Sequence, residues 1–559
     1  MNAPERGQAR PGLRQTMAWL HTWSGLWLSW LLFAIFLTGT LAVFEEPIGH
    51  WMRPEHAMHE AATAAAAPPP PDRARRLAFG AAYMAAHQAG ADMWEIWPAD
   101  HGADNALFAY WLDAQGRYQS AQLNPLNGAV AAPADAGAGG EGRATHGGQH
   151  FVVFHYQLQG GKVGLWVVAL ATMVMLVALV SGVITHKRIF QDFFTFRPAK
   201  GQRSWLDAHN AAAVLSLPFH FMIAYTGLAI FALTYVPAAL WAQYGAGSDA
   251  TRRFETQLEA QRKAPRSGRA LAVPDLEPFA LRAERAMGQQ ARAVVLDHPG
   301  DAAMRICVYG WNEDAAARTR LGGSSGMACY AAAGGAQLDV RQPGQPGGGA
   351  LLARQVIAAL HMGSYGGVTV KWLYFILGAT GAAMMGSGAI LFMLKRRVRS
   401  GAEFGAATAR AYRWIEAANV AAIAGLALAC VAYLWANRLI PLGIGQRADW
   451  EVRAFFVVWA LAAAHALLRA PARAWIEQLA ALAALGLLLP LLNLLSTGDS
   501  LAAQFGRGDW ESACVELVGV GVGLVSGRAA WRLRQRLAQP AASASASAGP
   551  APRATPEGR

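Results

Sequence analysis

Thirty consecutive residues, 15–44, contain no Asp, Glu, Lys or Arg. A helix crossing the hydrocarbon core of a bilayer needs about 20 mostly apolar residues, so this stretch is long enough to span. The same uncharged character returns over 163–186, 208–248, 372–394, 417–437 and 478–498, which gives six spans. Two shorter stretches, about 450–468 and 514–531, raise the expected total to about eight. Composition agrees: 54% of the residues are hydrophobic and only 15% charged, against about 25% charged in soluble domains. A soluble enzyme is excluded, and the chain reads as a polytopic α-helical membrane protein.

The formal net charge of +12 suits nucleic acid, an anionic surface or cytoplasmic loops. Its distribution selects the last. Arg6, Arg10 and Arg14 precede the first span, and Lys187, Arg188, Arg197, Lys200 and Arg203 follow the second. Lys395, Arg396, Arg397 and Arg399 follow the fourth, Arg469 and Arg473 the sixth, and Arg528, Arg532, Arg534 and Arg536 close the eighth. All fall on one side if both termini are cytoplasmic, because Lys and Arg in short loops resist translocation. No nucleic-acid partner is expected; the partner is the lipid bilayer. The first apolar run lacks a small-residue cleavage site before Glu45-Glu46-Pro47, so it reads as a retained span and not a removed signal.

These boundaries divide the chain. Residues 1–44 are the cytoplasmic N-terminus and first span, 45–162 a first extracytoplasmic segment, and 163–236 the second and third spans with a basic loop. Residues 237–360 are a second extracytoplasmic segment, 361–400 the fourth span, 401–538 four additional spans, and 539–559 an Ala/Ser/Pro-rich tail expected to be disordered. Both extracytoplasmic segments show a helix and then strands. In the first, an Ala-rich stretch and the Pro68–Pro71 run form a semi-rigid linker, a helix covers 73–88, and strands cover 94–98, 106–112 and 118–124 before a turn at 124–128. In the second, a helix covers 277–289 and strands lie near 293–297, 304–309 and 327–331, with a Gly334-Gly335 turn. Each reads as a small α+β domain.

An internal repeat points to histidines. Shifting by 206 positions lays His155 on His361, Gly160-Gly161 on Gly366-Gly367, Trp166 on Trp372 and Ser181-Gly182 on Ser387-Gly388. Shifting by 188 lays His21 on His209 and Thr38-Gly39 on Thr226-Gly227. A parallel duplication implies a pseudo-two-fold axis along the membrane normal, across which matching residues meet. His21 and His209 sit at the cytoplasmic helix ends, His155 and His361 at or above the outer ends. Two histidines facing each other at one depth supply the axial ligands of a six-coordinate haem iron. His220, about three helical turns after His209, returns to the same helix face near mid-membrane, where an ionisable residue is costly without a partner. His155, His209, His220 and His361 are candidate iron ligands, and His21 completes the cofactor-binding set. Straight helices separate the inner and outer pairs by about 35 Å, long for one electron hop, so either His220 binds an intermediate haem or the pairing departs from strict symmetry.

The plainer alternative for each histidine is a hydrogen bond to a neighbouring helix. His186 and His465 are spare candidates near inner helix ends, where solvation accounts for them, while His146 and His150 lie just upstream of His155 and could assist it. The Ser/Thr-Gly pairs read as close helix contacts, as does the Gly519/Gly523/Gly527 row. Trp19, Trp23, Trp27 and Trp30 share a helix face that suits an interfacial belt or a porphyrin wall. Cys307 and Cys329 fall on two expected strands in a compartment that permits a disulfide.

His21-Thr22-Trp23-Ser24-Gly25-Leu26 running on to Leu37-Thr38-Gly39, the Asn124-Pro125-Leu126-Asn127-Gly128 turn, Trp205 ahead of His209, and Leu360-His361 with Gly366-Gly367 together resemble the PepSY-associated transmembrane helix proteins. These include bacterial iron-regulated membrane proteins and siderophore-iron reductases. The resemblance covers about 15–400; the turn departs from the family's Asp-Pro-x-Thr-Gly at two positions. It implies that the two α+β domains are PepSY-like and that the chain is an inner-membrane oxidoreductase with two haems b, passing electrons to ferric siderophores or other iron chelates in the periplasm. No G-x-G-x-x-G follows a strand and opens a helix, so the electron donor is separate, a quinol or a cytoplasmic reductase. Two other readings stay open: a transporter of iron or siderophore with His220 in its path, and a non-enzymatic regulator of periplasmic proteases.

Overall fold

Apolar runs of this length have one stable arrangement in lipid, the helix, because it satisfies its backbone polar groups internally. The computed structural model describes residues 12–55, 72–98, 107–112, 118–130, 143–186, 202–235, 241–243, 245, 265–311, 321, 325–344, 349–400 and 405–538. The 68–71 proline run, the C-terminal tail and the basic residues at 6, 10 and 187–200 lie outside these. Two compact units result: Met1–Phe392 with Pro441–Asp449, and Met393–Ile440 with Trp450–Arg559.

The first unit holds nine main helices among its described residues: α1 (Leu13–Ala42), α2 (Arg73–His87), α3 (Gln149–Gln157), α4 (Gly161–Thr185), α5 (Gln202–Leu215), α6 (Leu217–Ile230), α7 (Glu277–Met287), α8 (Gly349–Met362) and α9 (Gly367–Ser400). Their hydroxyl residues bond back to carbonyls one turn earlier, as Thr22 to Ala18 and Thr38 to Ala34, which removes the cost of a polar group in an apolar span. α5 and α6 meet at a 65° bend. Pro218, in the first turn of α6, cannot donate to the preceding turn and breaks the helix there. Among the described residues five helices are long and apolar enough to cross a membrane, and three bent pairs bring the number to eight if each is one span. That is the number expected from the uncharged stretches.

The two polar segments yield the expected helix-then-strand order: β1 Met93–Trp97, β2 Leu107–Leu112 and β3 Tyr118–Leu123 in one, β4 Ala291–Asp297, β5 Arg305–Gly310 and β6 Met327–Ala331 in the other. A seventh strand, β7 Gln337–Arg341, adds to those expected from the sequence; its Gln-Leu-Asp-Val-Arg run alternates as a strand does, but it is only five residues long and forms a largely exposed edge. The segments do not form two separate sheets. They join into one antiparallel sheet of order β3-β2-β1-β4-β5-β6-β7, through β1 and β4, where Glu95 pairs with Val295 and Met93 with Asp297. Leu77 and Met84 of α2 and Phe279, Ala283 and Met287 of α7 pack on Ile96, Leu107, Leu296, Ile306 and Val308 in one continuous core. Arg73 of α2 pairs with both Glu277 and Glu284 of α7, so the helices are tied across the same seam. Cys307 and Cys329 stand opposite each other on β5 and β6 and are bridged.

The second unit is built mainly from α10 (Gly405–Val420), α11 (Leu426–Leu439), α12 (Arg447–Leu468), α13 (Pro471–Leu487), α14 (Leu489–Thr497), α15 (Leu501–Arg507) and α16 (Trp510–Ala538). Gly486 of α13 meets Gly519 and Gly523 of α16 so closely that a methyl group at Gly486 would collide with the Gly519 carbonyl. The small-residue row is therefore a packing surface, as its spacing indicated.

Candidate functional site

The Gly-Gly pairs of the repeat explain how two of the histidines reach the membrane core. Leu158, Gln159 and Gly161 all have positive φ, as do Gly363, Gly366 and Gly367, so the chain turns sharply at both places. α3 ends before one turn and α8 before the other, and each is a short helix distinct from the span that follows. α3 packs against α1, and α8 against α6. His155 and His361 therefore project into the bundle and do not cap the ends of α4 and α9. This corrects the sequence expectation for their placement.

The histidines meet in the two expected pairs. The ring centres of His21 and His209 are 6.3 Å apart, and those of His155 and His361 6.1 Å. Each ring is held by Nδ1. His21 donates to the Ala178 carbonyl at 2.8 Å, His155 to Ile35 at 2.8 Å and His209 to Met384 at 3.0 Å. His361 Nδ1 lies 3.1 Å from Thr226 Oγ1, with the Ile223 backbone beside the ring; Thr226 already donates its proton to the Met222 carbonyl, so here too Nδ1 is the donor. A carbonyl can only accept, so Nδ1 carries the proton and Nε2 keeps its lone pair. Among the described residues no hydrogen-bond partner meets the Nε2 atoms of these four.

Ile35 lies about four helical turns beyond His21, and Ile223 about four beyond His209. At about 1.5 Å per residue the two pairs lie no more than about 21 Å apart along those helices, and the 62° and 65° bends within them shorten this. The straight-helix separation of about 35 Å is thereby corrected; it assumed that the second pair sits at the helix ends.

His220 joins neither pair. It is fully buried, its Nε2 lies 3.3 Å from the Leu377 carbonyl and its Nδ1 3.3 Å from Ser216 Oγ, and Phe36 packs edge-on against it with ring centres 5.4 Å apart. Its Nε2, and not its Nδ1, faces a helix carbonyl, the reverse of His21, His155 and His209, and both nitrogens have a polar neighbour.

Four further histidines have local surroundings of their own. His146 pairs with Asp449, and Gln159 bonds the buried His150. His465 lies between Glu477 and Gln478 in the second unit, and His186 lies near His209. Trp19 is exposed and stacks obliquely on Trp23, which fits a belt. Among the described residues no group of three or more His, Cys, Asp or Glu could hold a metal; the histidines come in twos.

A buried polar chain in the second unit has no counterpart among the sequence expectations. Asn437 donates to Glu451 at 2.7 Å, Arg438 to Asn493 at 2.9 Å, and Asn493 and Gln504 to Glu516 at 2.8 and 2.9 Å. These residues are scattered over α11, α12, α14, α15 and α16, and no spacing links them.

The helices, the sheet and the paired histidines define a multi-pass membrane protein with a large extramembrane fold. Residues 18–396 match the family described as PepSY-associated TM region, and the chain belongs to that family. It is similar to an uncharacterised protein of Pseudomonas aeruginosa, PA4219, at 27% identity over 323 residues, covering 56% of this chain and 78% of the relative.

Proposed function

We propose that the chain is a haem b electron carrier of the bacterial inner membrane that reduces ferric siderophores, or other ferric chelates, on the periplasmic side. The observation that carries this reading is the pair of ring separations. An imidazole nitrogen lies about 2 Å from a first-row metal ion and the ring centre roughly 1 Å beyond, so two rings on opposite sides of one ion stand about 6 Å apart. The distances of 6.3 and 6.1 Å fit. The donor set fits as well, since ligating histidines donate their other N–H to a carbonyl or carboxylate, which fixes the ring and raises its basicity. His21 with His209, and His155 with His361, would each hold one haem, which would supply one-electron transfer. Weaker binding of Fe(II) than Fe(III) by hard oxygen ligands then favours iron release.

The side of action is argued from charge and thiols. The basic loops fall on one side, and the bridged Cys307–Cys329 pair belongs in an oxidising compartment. Hence the sheet is periplasmic, both termini are cytoplasmic, and electrons come from an inner donor, a quinol or a cytoplasmic reductase. The equivalence of the two histidine pairs supports a parallel duplication of the first four spans. The transport reading rested on His220, whose two nitrogens are engaged within the bundle, and no observation favours it.

Visible spectroscopy with haem quantitation tests the proposal. The purified protein is expected to carry two haems b per chain, and His21→Ala or His361→Ala to remove one. A protein without a Soret band, or bands unchanged in both variants, refutes it. Control of periplasmic proteolysis that survives both substitutions, with no ferric chelate reduction in the parent, points instead to the regulator reading.

A further inference from the structure

The Ser/Thr-Gly pairs recur at the repeat offsets, and each stands against a histidine. A β-carbon on Gly39 would lie 2.6 Å from Nδ1 of His155, and one on Gly227 2.9 Å from Cε1 of His361. On Gly182 it would lie 3.1 Å from Cε1 of His21, and on Gly388 3.2 Å from Cε1 of His209. The bonded carbonyls follow the same rule. Ile35, Ala178, Ile223 and Met384 each stand one helical turn before Gly39, Gly182, Gly227 and Gly388. In an α-helix a carbonyl one turn back already accepts one N–H, and its second lone pair is covered by the side chain one turn on. Glycine at that place uncovers it. His220 obeys the rule too: a β-carbon on Gly381 would lie 2.8 Å from its Nε2, and its carbonyl partner, Leu377, is one turn earlier.

We propose that Gly39, Gly182, Gly227, Gly388 and Gly381 are positioning residues that, with the carbonyl one turn before each, decide which ring nitrogen His155, His21, His361, His209 and His220 offer. Four of these cradles take Nδ1 and turn Nε2 toward the facing histidine. The fifth takes Nε2, because Ser216 on the neighbouring turn holds Nδ1 of His220, and it thereby withdraws this histidine from ligation. The hydroxyls add an asymmetry: Thr226 lies at 3.1 Å and Ser387 at 3.4 Å from the Nδ1 atoms of His361 and His209, whereas Thr38 and Ser181 bond back to carbonyls of their own helices. Where it concerns haem, this inference rests on the function proposed above.

Two measurements test it separately from that function. In 15N spectra of the haem-free full-length protein, labelled at histidine, His21, His155, His209 and His361 are expected as Nδ1–H tautomers and His220 as Nε2–H. A mixture of tautomers at the four, or Nδ1–H at His220, overturns the inference whether or not haem binds. In the haem-loaded protein, Gly39→Ala is expected to halve the haem content and leave one low-spin spectrum intact, which also shows that the chain is folded. Gly388→Ala, with its looser contact, is expected to keep both haems with shifted bands, and Gly25→Ala, whose β-carbon meets nothing within 4 Å, to change nothing. Two unaltered haems in Gly39→Ala, or loss of both, overturns the assignment.

Discussion

His155 donates to the carbonyl of Ile35 across 2.8 Å and 120 residues of sequence. The bond draws α3 down along α1 and brings its ring opposite His361. The same contact fixes the depth of that pair, so the distance between the pairs depends on where two short helices dock and not on the length of the spans.

His220 is expected to be structural. His220→Leu leaves Leu377 and Ser216 without their side-chain partner in an apolar interior, a loss of about 1–3 kcal/mol. Thermal unfolding should shift down while haem content stays that of the parent; loss of a haem from this variant would return His220 to the ligand set.

Removing the Cys307–Cys329 bridge, whose cysteines are 22 residues apart, is expected to destabilise the sheet by about 3 kcal/mol, the chain-entropy value for a loop of that size. Denaturation of a Cys307→Ser, Cys329→Ser double variant measures it.

Arg73 bonds both Glu277 and Glu284. Its environment, about one-fifth exposed, favours the charged hydrogen bonds only partly, so Arg73→Ala should cost about 2 kcal/mol. Arg73→Lys should recover little, because an ammonium cannot make the bidentate contact. Full recovery in the lysine variant would show that charge alone matters there.

Asp301 accepts from Ser267 N, Ser267 Oγ, Gly268 N and Ala303 N. These bonds hold its carboxyl well below the usual carboxylate range. A carboxyl whose folded value is depressed stabilises fully above its unfolded value of about 3.9 and progressively less as pH falls below it. The turns at 265–270 and 298–304, which Asp301 ties together, should therefore loosen in acid, with protection from hydrogen exchange at Gly268 and Ala303 falling below about pH 4. Asp301→Asn should show faster exchange already at neutral pH and a flatter acid response; an unchanged profile would remove Asp301 from this role.

The spans were legible because a charge-free run long enough to cross a bilayer has one structural meaning. The histidine pairs were legible because two offsets, 206 and 188, placed them at matching positions. The union of the two α+β segments was not, since pairing between β1 and β4 depends on two strands far apart in the chain, and no local pattern specifies it. Nor was the descent of α3, which turns on positive φ at Leu158 and Gln159, residues whose side chains give no warning of it. The Ser/Thr-Gly pairs were seen as close contacts, but only the structure shows what they contact.

The β1–β4 seam also limits how this molecule can move. Four residue pairs, from Met93 with Asp297 to Ile96 with Val294, stitch the segment between the first and second spans to the one between the third and fourth. Machines that carry cargo by tilting one half against the other need a seam that slips. Here such a swing would tear main-chain hydrogen bonds out of one continuous sheet, so the clasp resists that motion and holds the two segments at a fixed spacing.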